Sequence, residues 1–423
     1  MNILICSTVW SPSIGGVQSV TNTLARGLAR ESAQSDDDPV ELTVATPTPA
    51  GETLERDEML RIVRDAGILR LVWLIWKSDI VHLAGPALMP LFLAWLLRKK
   101  AVIHHHGYQA VCPDGSLVHY VDQRNCCNSF AAGEVRECLR CRAANVGWLR
   151  GIVSVALAYP RLWLCRRAAA NIAVSSHVKE RLSLPRTTTI YNAPAEIPNW
   201  PADEFLSAKP SSRFVLASDV PLIAFVGRLT SEKGVPVLLH AAATLAADDV
   251  DFRVRIIGDG PERARLAILA WSLRLRERVE FTGMLEGSAL DAAVTSAVAL
   301  VLPSLAEETA GLVAIEQMMR GRVVIASDTG GLGEIVGNAG LKFPPGDVPA
   351  LTSCLRRILG EPELRVALGR AARSRAVQHF TQQRMVEDHL QLYRRILSRP
   401  SPIQPPAPAI SRVTLPGRQK RAS

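Results

Sequence analysis

Glu308 and Glu316 stand eight positions apart around a stretch, Val301 to Val313, that reads as a strand end, a loop and a helix start. Carboxylates accept hydrogen bonds from hydroxyls, and the first-turn N–H groups of a helix attract anions. Two carboxylates bracketing such a turn suit a ligand with hydroxyls at both ends and phosphates between them. If helical throughout, the eight steps would span roughly 12 Å, the scale of a nucleotide sugar. On this reading Gly311, Leu312 and Val313 present their N–H groups to the diphosphate, assisted by the helix dipole. Solvated glutamates near a helix start have the same spacing, so the pair by itself does not decide.

Three further constellations bear chemistry. Arg228 and Lys233 are five apart on a loop that follows an apolar run and precedes a helical one. Two fixed cations there can neutralise the charge that develops on a leaving diphosphate without a metal. His104, His105 and His106 follow a strand-like Val102-Ile103. Neighbours on a strand point to opposite faces, which argues against three adjacent imidazoles converging on one ion. Cys112, Cys126, Cys127, Cys138 and Cys141 fall within thirty residues, and Cys138-Leu139-Arg140-Cys141 has the two-residue spacing of a zinc knuckle. Structural zinc, reduced buried thiols and a disulfide are all open for this cluster. A metal on four thiolates would be structural, because it keeps no open position.

Arg228-x4-Lys233 together with Glu308-x7-Glu316 resembles the motif set of retaining glycosyltransferases with the GT-B fold, and within them family 4 (glycosyl transferases group 1). The resemblance covers the chain to about Ser398. Thr309-Ala310 departs from the Gly-Phe often found inside the second motif, which puts the shape of the sugar pocket in question. It implies two Rossmann-like α/β domains facing across a cleft, with a C-terminal helix crossing back to the first domain. It implies that Arg228 and Lys233 hold the diphosphate, Glu308 the sugar hydroxyls and Glu316 the ribose. Gly15 and Gly16 lie on the first strand-to-helix loop, which in the family contacts donor or acceptor. By position His106 matches a family His-Gly that touches the donor sugar, with His105 the weaker match. A Cys-rich insertion after that His-Gly also resembles the family. No cofactor is expected for catalysis.

The elements needed to position these residues are legible as alternating strands and helices, the doubly wound signature. Strands are expected at Ile3–Thr8, Val40–Ala45, Asp79–Leu83, Val102–His105 and Ala168–Ser175. A second set is expected at Leu222–Val226, Phe252–Ile257, Val279–Phe281, Ala297–Leu302, Val323–Ser327 and Gly340–Phe343. The expected domains are 1–192, with the insertion at about 108–142, then a linker over 193–221, a donor-binding domain over 222–382 and a returning helix over 383–398. The Pro-rich basic remainder, 399–423, cannot form a core and is expected to be disordered.

At 423 residues and 48% hydrophobic, the chain has ample material for two packed cores. Met1-Asn2-Ile3-Leu4-Ile5 reads as a first strand and not as a leader, so a cytoplasmic protein is expected. The net charge of +9 is uneven: from Arg98 to Arg181 thirteen Lys or Arg face five Asp or Glu. Such an excess suits membrane lipid, nucleic acid or phosphate, or a merely solvated face. The apolar segments Ala84–Leu97 and Gly147–Cys165 do not read as transmembrane; edged by basic residues, they fit peripheral contact with the inner face of an anionic membrane, with core helices as the alternative. The expected partners are therefore a nucleotide-sugar donor, a glycan or lipid-linked acceptor and a membrane surface, in cell-surface polysaccharide or glycolipid synthesis. Two other classes share parts of this pattern. A GT-B nucleotide-sugar epimerase would need no acceptor, and a non-catalytic nucleotide-sugar sensor would not need the cations.

Overall fold

The computed structural model describes residues 1–10, 15–34, 40–49, 60–121, 124–126, 128–195 and 220–398. Residues 11–14, Cys127, most of the expected linker and the expected disordered tail lie outside the described residues.

The first half begins with β1 (Asn2–Ser7), β2 (Glu41–Thr46), β3 (Arg61–Arg64), β4 (Ile80–Ala84) and β5 (Lys100–His105). A small hairpin, β6 (Val118–His119) with β7 (Arg124–Asn125), follows in the insertion, then β8 (Ala170–Ala173) and β9 (Thr187–Thr189). All but the hairpin form one parallel sheet in the order β3-β2-β1-β4-β5-β8-β9. The helices between them are α1 (Gly16–Gln34), α2 (Ile68–Lys77), α3 (Leu88–Leu96), α4 (Val135–Val146), α5 (Trp148–Arg167) and α6 (Ser176–Leu182).

The second half repeats the plan with β10 (Leu222–Val226), β11 (Arg253–Ile257), β12 (Val279–Gly283), β13 (Ala297–Leu302), β14 (Val323–Ser327) and β15 (Leu341–Phe343). Their parallel order is β12-β11-β10-β13-β14-β15. Its helices are α7 (Val235–Ala247), α8 (Arg263–Ser272), α9 (Gly287–Thr295), α10 (Leu312–Met319), α11 (Gly330–Val336), α12 (Val348–Gly360), α13 (Pro362–His379) and α14 (Gln382–Ser398).

Strands covered on both faces need apolar side chains at every position, which is why Ile3-Leu4-Ile5 and Val323-Val324-Ile325 read as unbroken runs. Alternate residues then feed opposite cores. In the first sheet Ile3, Ile5, Ile80 and Val102 pack with α1 and α14. Leu4, Val81 and Ile103 pack with α2, α3 and α5 on the other face. In the second sheet Ile223, Val254 and Val301 meet α7 and α12, while Ala224, Leu300 and Val324 meet α10, α11 and α13.

The closing helix thus returns to the first domain. Met385, Val386, Leu390, Leu392 and Tyr393 are all buried among first-domain residues. Each such side chain contributes about 1.5–3 kcal/mol relative to exposure. Lys100 Nζ also donates to the carbonyl of Ile396 at 2.8 Å, near the end of the helix.

Candidate active site

The order of the second sheet decides what meets in the cleft. β10 and β13 are neighbouring parallel strands, so the loops that leave them emerge side by side at the carboxyl edge. The β10 loop carries Arg228 and ends in a single 3₁₀ turn, Ser231–Lys233, and the β13 loop carries Ser304 to Gly311. A backbone bond ties them, Leu305 N–H donating to the Glu232 carbonyl at 2.8 Å. Gly234 closes the turn at φ 65°, and a Cβ there would collide with the Pro303 carbonyl. Only glycine lets the two loops come this close.

The result is that Lys233 Nζ lies 2.7 Å from Glu308 Oε1, and Ser304 Oγ donates to the same carboxylate oxygen. The Glu308 side chain is 19% exposed. Burial pushes its carboxyl up, but the Lys233 charge and the bonds from Lys233 and Ser304 outweigh it and the net shift is downward. Glu308 is therefore an ionised acceptor. Arg228 stands exposed on the same loop.

Helix α10 begins one step after Gly311, which sits at φ 75°. No side chain caps this end, so the first-turn N–H groups, Leu312 and Val313 among them, keep their capacity for an anion. Glu308 itself is not helical, so the carboxylate separation cannot be taken from an ideal helix. Glu316 sits in α10, half-buried, and burial raises its carboxyl to about 7, with Arg320 opposing and Asp291 reinforcing. A ligand donating hydroxyl hydrogens to Glu316 would favour the ionised form.

The first domain closes the other side of the cleft. Thr309 Oγ1 donates to the His106 carbonyl at 3.0 Å, and Ser175 Oγ donates to the Thr309 carbonyl at 2.7 Å. The residue that departs from the resembled motif thus bridges the domains. His106 has a buried Nε2 with no partner among the described residues, and burial, then His105 and His389, lower its pKa to about 3. It is a neutral imidazole at ordinary pH, suited to a hydrogen bond and not to strong base catalysis. His105 turns to the opposite face and pairs with Asn171 Oδ1 at 2.8 Å. Gly15 and Gly16 border open space, and neither has a positive φ.

Several residues at this interface carry no signal in the sequence. Glu307 takes Arg181 Nε at 2.8 Å and His177 Nε2 at 3.1 Å. Burial acts to raise its carboxyl, but these two partners pull it down to about 2. Glu334 accepts from the N–H groups of Ser176 and His177 and from the Tyr191 hydroxyl, at 2.9, 3.0 and 2.7 Å. Tyr108, whose titration is influenced by both Glu307 and Glu308, holds a buried hydroxyl with no partner among the described residues. Only the Glu307-Glu308 doublet could have drawn attention in the sequence.

The insertion places Cys112, Cys126, Cys138 and Cys141 around one small pocket, with His119. Cys138 and Cys141 lie one turn apart on α4, not in a knuckle turn. The described cysteines are all free thiols, and burial pushes Cys138 up to about 12. Among the described residues, the ring nitrogens near enough to share an ion belong elsewhere, to His82, His104 and His389.

Residues 14–193 match the family model for Glycosyltransferase Family 4, and residues 209–375 match that for Glycosyl transferases group 1. The chain is 36% identical over 149 residues to an alpha-D-kanosaminyltransferase of Streptomyces kanamyceticus, covering 35% of this chain and 38% of the relative. It is 35% identical over 181 residues to a 2-deoxystreptamine glucosyltransferase of the same organism, covering 42% and 46%. The chain thus spans less than half the length of these two curated relatives. In three dimensions it resembles Anabaena Alr3699/HepE in complex with UDP, with a TM-score of 0.68 at 17% identity, over 92% of this chain and 99% of that one. Two parallel α/β sheets, a returning helix and family matches to both halves make this chain a member of the GT-B glycosyltransferases.

Proposed function

We propose that the chain transfers a sugar, with retention at the anomeric carbon, from a nucleotide-sugar donor to a glycan or lipid-linked acceptor. The observation that carries this reading is the meeting of Lys233 and Glu308 beside the uncapped start of α10. The donor diphosphate would lie against the N–H groups of Gly311, Leu312 and Val313. Arg228 and Lys233 would neutralise it as it leaves, so that catalysis needs no metal or cofactor. Lys233 would exchange a carboxylate for a phosphate, and Glu308 would turn to the sugar hydroxyls. Glu316 would take the ribose, and His106 would contact the sugar from the first domain, with Gly15 and Gly16 near the diphosphate. The complex of Alr3699/HepE with UDP supports a nucleotide-diphosphate ligand. A thermal-shift panel of UDP-, GDP-, ADP- and dTDP-sugars tests the reading. One family should raise the melting temperature of the wild type and not of Lys233→Ala. A panel without any response would overturn it.

The acceptor side is proposed to work against an anionic membrane. Helices α2, α3 and α5 cover one face of the first sheet yet leave Trp73, Trp76, Phe92, Trp95, Trp148 and Trp163 exposed. Arg167 stacks on Trp163 at 3.7 Å and Lys77 lies 5.7 Å from Trp73, the mixed apolar and basic surface that interfacial proteins use. No helix among the described residues is long and apolar enough to cross a membrane. Sedimentation with phosphatidylglycerol vesicles should pull the protein down and release it in salt. Equal behaviour with neutral vesicles contradicts the charge argument.

The thiol pocket is proposed as a structural zinc site. Its four cysteines fit the chemistry of zinc, which would order the insertion and take no part in transfer.

A further inference from the structure

A second group of nitrogen donors lies inside the first domain, on the sheet face opposite α2, α3 and α5. β4 and β5 pair with His82 beside Val102, so His104, two residues on, shares the face of His82. That face is the one covered by α14, and α14 brings His389 onto it. The exposures of His82, His104 and His389 are 0%, 1% and 0%. One ring nitrogen of each lies within 4.8 Å of the others.

What sets this cluster apart from ordinary core histidines is its unmet bonding. The Nε2 atoms of all three are buried with no hydrogen-bond partner among the described residues. Buried polar atoms are rarely left so. The opposite edges of two rings are fixed. His389 Nδ1 faces the Met385 carbonyl at 2.7 Å, and a carbonyl only accepts, so Nδ1 carries the proton and Nε2 keeps its lone pair. His82 Nδ1 is held by the Tyr393 hydroxyl at 2.8 Å. An imidazole tethered through one nitrogen and open at the other is how metal-binding histidines are oriented. A donor set of three imidazoles suits zinc, cobalt, nickel or copper and not calcium or magnesium. The ring centroid of His106 lies 4.1 Å from that of His104, and its buried Nε2 also has no partner among the described residues.

We propose that His82, His104 and His389 bind one divalent transition-metal ion, zinc by the fit of its ligands, which fastens α14 to β4 and β5. Zinc–nitrogen bonds of about 2.0–2.1 Å require ligand nitrogens within 4.8 Å of one another, as these three are. The ion is structural: it lies where α14 crosses onto the first domain, and it joins that helix to a sheet strand that leads to His106.

The test is titration of chelator-dialysed, full-length protein with Co²⁺. Beside any cobalt on the cysteines, the wild type should take up one further equivalent whose tetrahedral d–d absorption carries no thiolate charge-transfer band. His389→Gln should lose that equivalent. Any cobalt held by the cysteines is recognised by its charge-transfer band and is lost from Cys138→Ser instead. Should His389→Gln misfold, X-ray absorption on Cys138→Ser carrying one equivalent of Zn²⁺ decides by its scatterers. Three imidazole nitrogens uphold the site. A shell of sulfur only, or no metal retained, overturns it and leaves the three nitrogens to buried water.

Discussion

Lys233 Nζ and Glu308 Oε1 lie 2.7 Å apart because their loops leave adjacent parallel strands and are pinned by a bond from Leu305 to Glu232. Each neutralises the other. The pair is half-buried and therefore costly to break from one side only.

Removing the cation should separate stability from turnover. Lys233→Ala strands a buried carboxylate, and loss of up to about 3 kcal/mol is expected from the broken pair. Adding Glu308→Gln should restore most of that stability. Transfer rate should stay down by about 10²–10³-fold in both variants, the usual cost of a missing transition-state donor. Urea unfolding and initial rates on the same samples check both halves.

Glu316 makes binding sensitive to pH. Its folded-state pKa of about 7 stands above the ordinary 4.5, so the native chain holds this proton more tightly than the unfolded chain. The group's contribution to stability is full below the ordinary value, falls as pH rises through 4.5 to 7, and is flat above. Relative to Glu316→Gln, the wild type should lose up to about 3 kcal/mol across that window. Donor affinity should run the other way, weakening below pH 7 by up to about tenfold per unit as the acceptor is protonated. Calorimetry at pH 5.5, 6.5 and 7.5 reads it, and the variant should be flat.

Glu307 holds the domains together through His177 and Arg181. Its pKa is depressed to about 2, so its contribution is present above about 4.5 and is lost as pH falls toward 2. Glu307→Gln should cost about 1.5–3 kcal/mol, the range for bonds to charged groups. Small-angle scattering should show a larger radius of gyration if the clamp restrains opening.

Gly311→Ala is expected to disturb the site directly. A non-glycine residue at φ 75° costs about 1–2 kcal/mol, and the new Cβ would stand 2.7 Å from Leu332 Cδ1. The melting temperature should fall by a few degrees, with nucleotide affinity reduced alongside.

Much of the fold was readable because parallel strands covered on both faces leave unbroken apolar runs. Leu222–Val226, Ala297–Leu302 and Val323–Ser327 occupy the residues expected of them. Arg61–Arg64 was not read as a strand, since a four-residue edge flanked by arginines lacks such a run. Thr187–Thr189 is shorter still. At the site, spacing identified Arg228, Lys233, Glu308 and Glu316 as candidates, and strand alternation separated His105 from His104 and His106. Spacing could not pair Lys233 with Glu308, because that depends on which strands are neighbours. It could not join His82 and His104 to His389, because the amphipathic pattern of a helix gives no sign of which sheet face its apolar side covers. The cross-domain partners of Glu307 and Glu334 were hidden for the same reason.

The most direct measurement is calorimetric titration of the nucleoside diphosphate chosen by the thermal panel into wild type and Arg228→Ala/Lys233→Ala. The account predicts one site per chain in the wild type and at least about a hundredfold weaker binding in the double variant, of the order of two lost charge-assisted contacts. Equal affinity in the two proteins would mean that the diphosphate is held elsewhere, and the assignment of this cleft would be wrong.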